Sequence, residues 1–480
     1  MKLHTNREKY LTDATTTDQI LKQYLKRHNI DTIDLWNIKY NETTGRGIYA
    51  TEDIPLNTTI FVDYPLILGT RYSSNCKPLC TVCFKEDVQL IQCAKKCGLP
   101  LCSNECANTT VHTNDCNVVR EWLEKSSHES FAVWSLNLLR ALTAIRGMEL
   151  SPTDVEVLSL LQGNQSAQQG AEIKLLKLLE LKIPKEDEEF LLSTCQILDT
   201  NAFESIYESN TKVSLRGLYP VSALLNHNCS PNTTHLFDKE GRMIVKNTRF
   251  IRAGEEITIT YTNLLWGTVT RRHNLYMTKQ FWCHCNRCMD LKEFGYPLSA
   301  LYCTDINKCD GLMLPKVISN DISVPWVCTS CGKKSSSKQI GIFQSTLSAV
   351  VNPYYSDTVE NLIEFLQNRI DLSIPNCNQL IVDLKLRVVG ILGHRSGYLF
   401  NELSDHLLEY KEKLCREIIN IVEVLQLGEN KMKGFLLQEL YLTLMEKSQR
   451  RNEKNTKEVT YVKVAAIKIL RGDCRLMIKD

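Results

Sequence analysis

Eight metal-ligating side chains crowd into residues 80–116, and no other stretch restricts the fold of this chain so tightly. Cys80-x2-Cys83, Cys93-x3-Cys97, Cys102-x3-Cys106 and His112-x3-Cys116 supply seven thiols and one imidazole within 37 residues. Thiolate and imidazole are the ligands zinc favours, and eight of them close two tetrahedral sites. So few apolar residues lie between the ligands that bound metal has to supply most of the folding free energy of this segment. With every position filled by protein, neither site has an open coordination position for catalysis.

Two further clusters follow. Cys283-x-Cys285-x2-Cys288 offers three thiols and needs a fourth ligand, which Cys229 can provide from the turn Asn226-His227-Asn228-Cys229-Ser230-Pro231-Asn232. Cys303-x5-Cys309 and Cys328-x2-Cys331-Gly332 make another four-ligand candidate, with Trp326 two residues ahead of the second pair. Fifteen of the twenty cysteines fall in these clusters, leaving Cys76, Cys195, Cys377, Cys415 and Cys474 as packing or surface residues. Paired cysteines of this kind suggest disulfides in a secreted chain and zinc ligands in a reducing compartment. Residues 1–8 are polar and lack the apolar core of a secretory signal, so an intracellular protein, cytoplasmic, nuclear or both, is expected. With 57 Lys+Arg against 55 Asp+Glu, bulk charge points to neither nucleic acid nor membrane, and no apolar run is long enough to span a bilayer.

Along the chain, residues 13–29 read as a polar helix with a weak apolar stripe of Ile20, Leu21, Tyr24 and Leu25, an appendage within 1–31. Ile33, Leu35 and Ile38, then Gly45-Arg46-Gly47-Ile48-Tyr49-Ala50, then Ile60-Phe61-Val62 are short β-type runs. Phe131, Trp134, Leu138, Leu139, Leu142 and Ile145 recur at helical spacing. Ser151-Pro152 reads as the cap and first-turn proline of a helix stopping at Gly163, ahead of a polar loop at 163–170 and a helix at 173–183. Strands are expected at 243–245, 248–251 and 257–261. Beyond about residue 340, stripes such as Ile363, Leu366 and Ile370, the run from Leu403 to Leu425 with Gly428 as its C-cap, and Leu436, Leu437, Leu440, Tyr441 and Leu444 suggest stacked helix pairs without a clear 34-residue repeat.

The Asn226–Asn232 turn, the run Gly254-Glu255-Glu256-Ile257-Thr258-Ile259-Thr260-Tyr261 and the stretch Phe281-Trp282-Cys283-His284-Cys285-Asn286-Arg287-Cys288 together resemble the SET domain of protein lysine methyltransferases and its post-SET zinc segment. The resemblance implies that Gly45, Arg46, Gly47, Asn226, His227, Tyr261 and Phe281 bind S-adenosylmethionine and that Tyr261 is the catalytic residue that orients the acceptor amine. It also implies a closed zinc site on Cys229, Cys283, Cys285 and Cys288, with His284 facing solvent. Asn201-Ala202-Phe203 looks like the family segment entering the catalytic half. Thr44 stands where relatives often carry lysine, and Lys279 stands where active relatives usually have a second tyrosine. Tyr276, one helical turn earlier, substitutes for it if the register shifts.

The ligand order of 80–116 resembles the MYND finger, whose pairs interleave: Cys80, Cys83, Cys102 and Cys106 for one ion, and Cys93, Cys97, His112 and Cys116 for the other. A MYND finger inserted into a SET domain resembles the SET and MYND domain-containing (Smyd) lysine methyltransferases, and the candidate ribbon on Cys303, Cys309, Cys328 and Cys331 is similar to that of their arthropod SmydA-like branch. The implied fold is α+β. Its parts are a β-rich SET domain in 32–79 and 201–270, the finger at 80–116, a helical insertion at 117–200, the post-SET segment at 271–292, the ribbon at 293–335 and an all-α TPR-like domain at 336–480. The implied activity is S-adenosylmethionine-dependent protein-lysine N-methylation, on a histone or non-histone substrate, by a monomer holding three zinc ions, or four with the ribbon. The alternative is a weak or inactive SET scaffold that recruits proline-rich peptides through its finger. Either way the chemistry needs a neutral amine, and lysine, with a pKa near ~10.4 in water, must be neutralised by an apolar channel.

Overall fold

The computed structural model describes residues 12–30, 34–71, 76–126, 130–164, 170–205, 213–303, 305, 309–317, 324–368, 374–452 and 457–471. Ile33, Ile370, Cys474 and most of the 163–170 loop lie outside them.

The strands Trp36–Asn41 and Gly45–Ala50 form an antiparallel hairpin in which Lys39 faces Gly47 and Ile38 faces Ile48. The outer edge of Gly45–Ala50 pairs with Glu256–Ile259, whose own far edge pairs in parallel with Asn226–His227. The asparagine-histidine turn therefore runs beside the strand that leads to Tyr261. Asn232 fixes that approach: its side chain accepts from the Thr258 N–H at 2.7 Å and donates to the Glu256 carbonyl at 2.8 Å. Two three-stranded sheets flank this one, Thr233–Phe237, Met243–Asn247 and Thr59–Asp63 in the first, and Ile67–Thr70, Leu215–Leu218 and Phe203–Ser205 in the second. Alternating side chains such as Ile48, Phe61, Phe237 and Ile257 meet in one apolar core. The strand expected at 248–251 is reduced to a bridge between Ile251 and Ile54, because the Asn247 side chain donates to the Ile54, Pro55 and Arg249 carbonyls and turns the chain there.

The N-terminal helix, Ala14–Arg27, is no appendage. Leu21, Tyr24 and Leu25 are fully buried in the same core, and Asp18 accepts from the Ile38 N–H at 3.1 Å. The helices Thr110–Glu124, Leu136–Arg140, Ala171–Leu178 and Lys185–Asn201 share a second core with the cysteine-rich segment, through Cys97, Leu99, Trp122, Leu138, Leu176 and Leu191. Ser151 caps Pro152–Ser159 as expected, but the helix stops short of Gly163, and the Arg46 guanidinium takes the Leu160 carbonyl at 2.5 Å.

A third core belongs to the C-terminal helices, among them Gln379–Ile391, Asp405–Val424, Lys431–Arg450 and Lys457–Leu470. The small sheet carrying Met313, Trp326 and Cys328 packs into it, so the ribbon is part of this helical region rather than a detached unit. Gln426, at φ 54, is the left-handed residue closing Asp405–Val424. Gly428 serves another purpose: a Cβ there would lie 2.4 Å from the Thr248 carbonyl oxygen, which accepts from the Glu429 N–H at 2.8 Å. That contact docks the helical region against the β-rich region.

Candidate active site

Four ligand groups assemble. The ligand atoms of Cys80, Cys83, Cys102 and Cys106 lie within 4.8 Å of one another, as do those of Cys93, Cys97, His112 and Cys116, of Cys229, Cys283, Cys285 and Cys288, and of Cys303, Cys309, Cys328 and Cys331. Tetrahedral zinc with Zn–S bonds near ~2.3 Å sets its sulfurs ~3.8 Å apart. The Sγ separations Cys83–Cys102, Cys229–Cys283 and Cys303–Cys331 are 3.6, 3.9 and 3.7 Å, so these three sets match such an ion, while Cys93 and Cys97 in the remaining set are closer, at 3.2 Å.

The group around Cys229 is built into its surroundings. Arg271, Arg287 and Glu293, with side chains 0%, 0% and 2% exposed, stand behind it. Glu293 accepts from Arg271 Nη1 at 2.7 Å and from Arg287 Nε at 3.1 Å, while Arg271 Nη2 donates to the Cys288 sulfur at 3.6 Å and Arg287 Nη1 to the Cys229 carbonyl at 3.0 Å. A zinc ion with four thiolates is a dianion, and two guanidiniums against one carboxylate would offset part of that charge in the interior. Nothing in the sequence singled out this triad beyond an arginine placed next to Cys288.

From this clamp a chain of contacts reaches the slot. His227 Nε2 lies 3.2 Å from Cys229 Sγ, and its Nδ1 accepts from the Tyr261 N–H at 3.0 Å, which puts the ring proton on Nε2, toward sulfur. The Tyr261 hydroxyl donates to the Leu225 carbonyl at 2.6 Å. Burial and the Glu256 charge push that phenol above its ordinary range, so it stays neutral at physiological pH. Asn226 Nδ2 donates to the Arg46 carbonyl at 3.1 Å and to Glu256 Oε1 at 2.8 Å. These groups surround a cavity of about 570 Å³ whose walls include Gly45, Arg46, Asn226, Tyr261, Lys279 and Phe281. Behind Thr260, which lines both spaces, a second cavity of about 700 Å³ opens between the β-rich region and the C-terminal helices, walled by Leu264, Leu386, Val389, Met432, Phe435 and Leu436.

A family model, the SET domain, matches residues 45–262. The SET domain-containing protein SmydA-8, isoform A, of Drosophila melanogaster is 30% identical over 411 residues, which cover 84% of this chain and 88% of that protein. The chain belongs to the SET and MYND domain-containing (Smyd) family, in its arthropod SmydA-like branch. This Smyd chain is also 25% identical to the histone-lysine N-methyltransferase ASHR1 of Arabidopsis thaliana over 329 residues, 64% of the chain and 66% of that protein. It is 42% identical to the histone-lysine N-methyltransferase SMYD3 of Mus musculus over 72 residues, 15% of the chain and 17% of that protein.

Within this Smyd chain the residues expected at a cofactor divide into two sets. Gly45, Arg46, Asn226, Tyr261 and Phe281 line the cavity, whereas Gly47 and His227 stand behind its wall. A Cβ on Gly47 would lie 2.5 Å from Glu256 Oε1 and 2.9 Å from Asn226 Nδ2, so its absence is what lets Asn226 reach the hairpin. The Arg46 guanidinium points to Thr17 Oγ1 at 3.2 Å and to the Leu160 carbonyl, and burial lowers it to about 10. Its backbone, through the carbonyl held by Asn226, is what Arg46 brings to the slot.

The possible register shift does not occur. Tyr276 is 40% exposed and stacks on Trp282 at 4.4 Å and 11°, away from the cavity lining. Lys279 takes the wall position instead: its Nζ donates to the Thr200 carbonyl and stands 5.5 Å from the Tyr261 ring centroid. Burial and the Arg216 charge hold its ammonium below the usual lysine range. Asn201, Ala202 and Phe203 line the cavity together with Thr200, Gln162 and Ser222, three residues that no sequence pattern marked. His284 is exposed, as expected.

Proposed function

We propose that this protein is an S-adenosylmethionine-dependent protein-lysine N-methyltransferase. What carries the reading is the meeting of Asn226, the Gly45–Arg46 backbone, the Phe281 ring and Tyr261 around one cavity of about 570 Å³, a volume in the range of cofactor pockets. The lysine methyltransferase names of ASHR1 and SMYD3 support it. When bound, S-adenosylmethionine supplies an electrophilic methyl group. Asn226 and the hairpin backbone hold its polar parts, and Phe281 offers a face to its adenine. The Tyr261 hydroxyl hydrogen is committed to Leu225, so the oxygen lone pairs are free to accept from the acceptor amine and orient it. Partly apolar walls and the neighbouring Lys279 cation both favour a neutral amine, and alignment supplies the rate. The larger cavity behind Thr260 is the natural approach for a substrate protein, histone or otherwise.

The three cysteine sets other than the ribbon form closed structural zinc sites in this reading, the first two making a MYND finger, and the ribbon holds a fourth ion. So many thiolate ligands need a reducing cytoplasm or nucleus. Lys279 in the wall favours a second reading, a SET scaffold of weak activity that recruits proline-rich peptides through the finger. Transfer of labelled methyl from S-adenosylmethionine to a lysate or a peptide array separates the two. Wild type is expected to give signal and Tyr261→Phe to lose it by about a hundredfold, the usual effect of removing one positioned hydrogen-bonding group. Equal signal from both proteins would exclude the role assigned to Tyr261.

A further inference from the structure

Lys279 ends the helix Thr268–Lys279, and Gln280 after it takes φ 60, so the chain turns sharply away there. The lysine side chain is left in the slot, where the Thr200 carbonyl and the Tyr261 ring face together solvate its ammonium. The other charges around the slot are two cations and three carboxylates, and Lys279 is the cation held against the Tyr261 ring. Arg46 is a second cation, with its guanidinium engaged by Leu160 and Thr17. Asp199 is paired with Arg216, and Glu204, the one carboxylate among the described residues of the lining, is exposed and accepts from Ser214 at 2.7 Å. Glu256 lies behind Asn226. A ligand that carries a positive charge at its reacting centre therefore meets more repulsion from Lys279 than a neutral ligand of the same shape does.

The geometry points to Lys279 as the residue that sets donor-versus-product selectivity: its charge disfavours the sulfonium of S-adenosylmethionine relative to the neutral thioether S-adenosylhomocysteine. The inference rests on the methyltransferase reading and adds to it that the slot retains product. Glu256 and Arg46 act equally in wild type and in Lys279 variants, so substitution at this position isolates the single charge. One unit charge beside the reacting centre, at an effective dielectric of about 20, is expected to be worth at least about tenfold in an equilibrium.

The test is calorimetric titration of S-adenosylmethionine and S-adenosylhomocysteine into the full chain as wild type, Lys279→Met and Lys279→Arg. The ratio of the two Kd values, donor over product, is expected to fall about tenfold in Lys279→Met and to stay within about twofold in Lys279→Arg. Lys279→Gln gives the same readout if the methionine variant is insoluble. An unchanged ratio in a neutral variant that still binds both ligands overturns this inference and leaves the methyltransferase reading standing. Failure of wild type to bind either ligand overturns both.

Discussion

The ligands of the 80–116 segment are all close neighbours in sequence, whereas Cys229 meets Cys283 across 54 positions. The coordination chemistry is nearly the same, but the consequence is different. Metal held in the first region would order a local unit that shares its core with the helical insertion. Metal held in the second would join the asparagine-histidine turn to the segment that carries Phe281 and Lys279, and His227 would pass that constraint to the backbone of Tyr261. Where the ligands come from, and not how many there are, separates a site that builds a module from one that shapes a slot.

The sharpest way to break this contrast is to remove one ligand from each region. Cys288→Ser is expected to weaken S-adenosylmethionine binding by more than a hundredfold, well above the 10–100-fold typical of outer-shell changes at metal sites. Cys93→Ser is expected to lower zinc content while cofactor affinity stays within about threefold. Calorimetry alongside metal analysis reads both, and equal losses of affinity would end the distinction. Next in size is Glu293→Gln, which leaves Arg271 and Arg287 buried without their carboxylate. Thermal or denaturant unfolding should show a loss of about 3–5 kcal/mol. A loss under about 1 kcal/mol would mean that the thiolates alone satisfy the two guanidiniums. The smallest effect belongs to Tyr276→Ala. Because that ring stacks outward on Trp282, cofactor affinity should change by less than about twofold, and a larger drop would place Tyr276 at the slot after all.

The ligand groups were legible in the sequence because their chemistry is written in residue identity and, Cys229 apart, short spacing; the turn was legible as a contiguous motif, and so was the strand before Tyr261, which ends at Ile259 rather than at Tyr261. What sequence reading missed depends on contacts between distant segments. The N-terminal helix looks polar because its stripe is narrow, yet Leu21, Tyr24 and Leu25 close the SET core and Thr17 holds Arg46. His227 and Gly47 belong to the right motif, but they support the wall instead of forming it, a distinction only the direction of a side chain can make. Gln426 rather than Gly428 closes its helix because the glycine is needed against the Thr248 carbonyl, a contact across the interface of two regions. The charged triad behind Cys288 draws on residues from three separate local patterns.

The most direct measurement is titration of S-adenosylmethionine into purified, zinc-containing wild type and into Asn226→Ala. A turn held by metal-bound sulfur against the strand of Tyr261 should bind about one equivalent in wild type and at least tenfold more weakly once the Asn226 amide no longer reaches Arg46 and Glu256. Wild-type protein that carries its zinc and takes up no S-adenosylmethionine would contradict it.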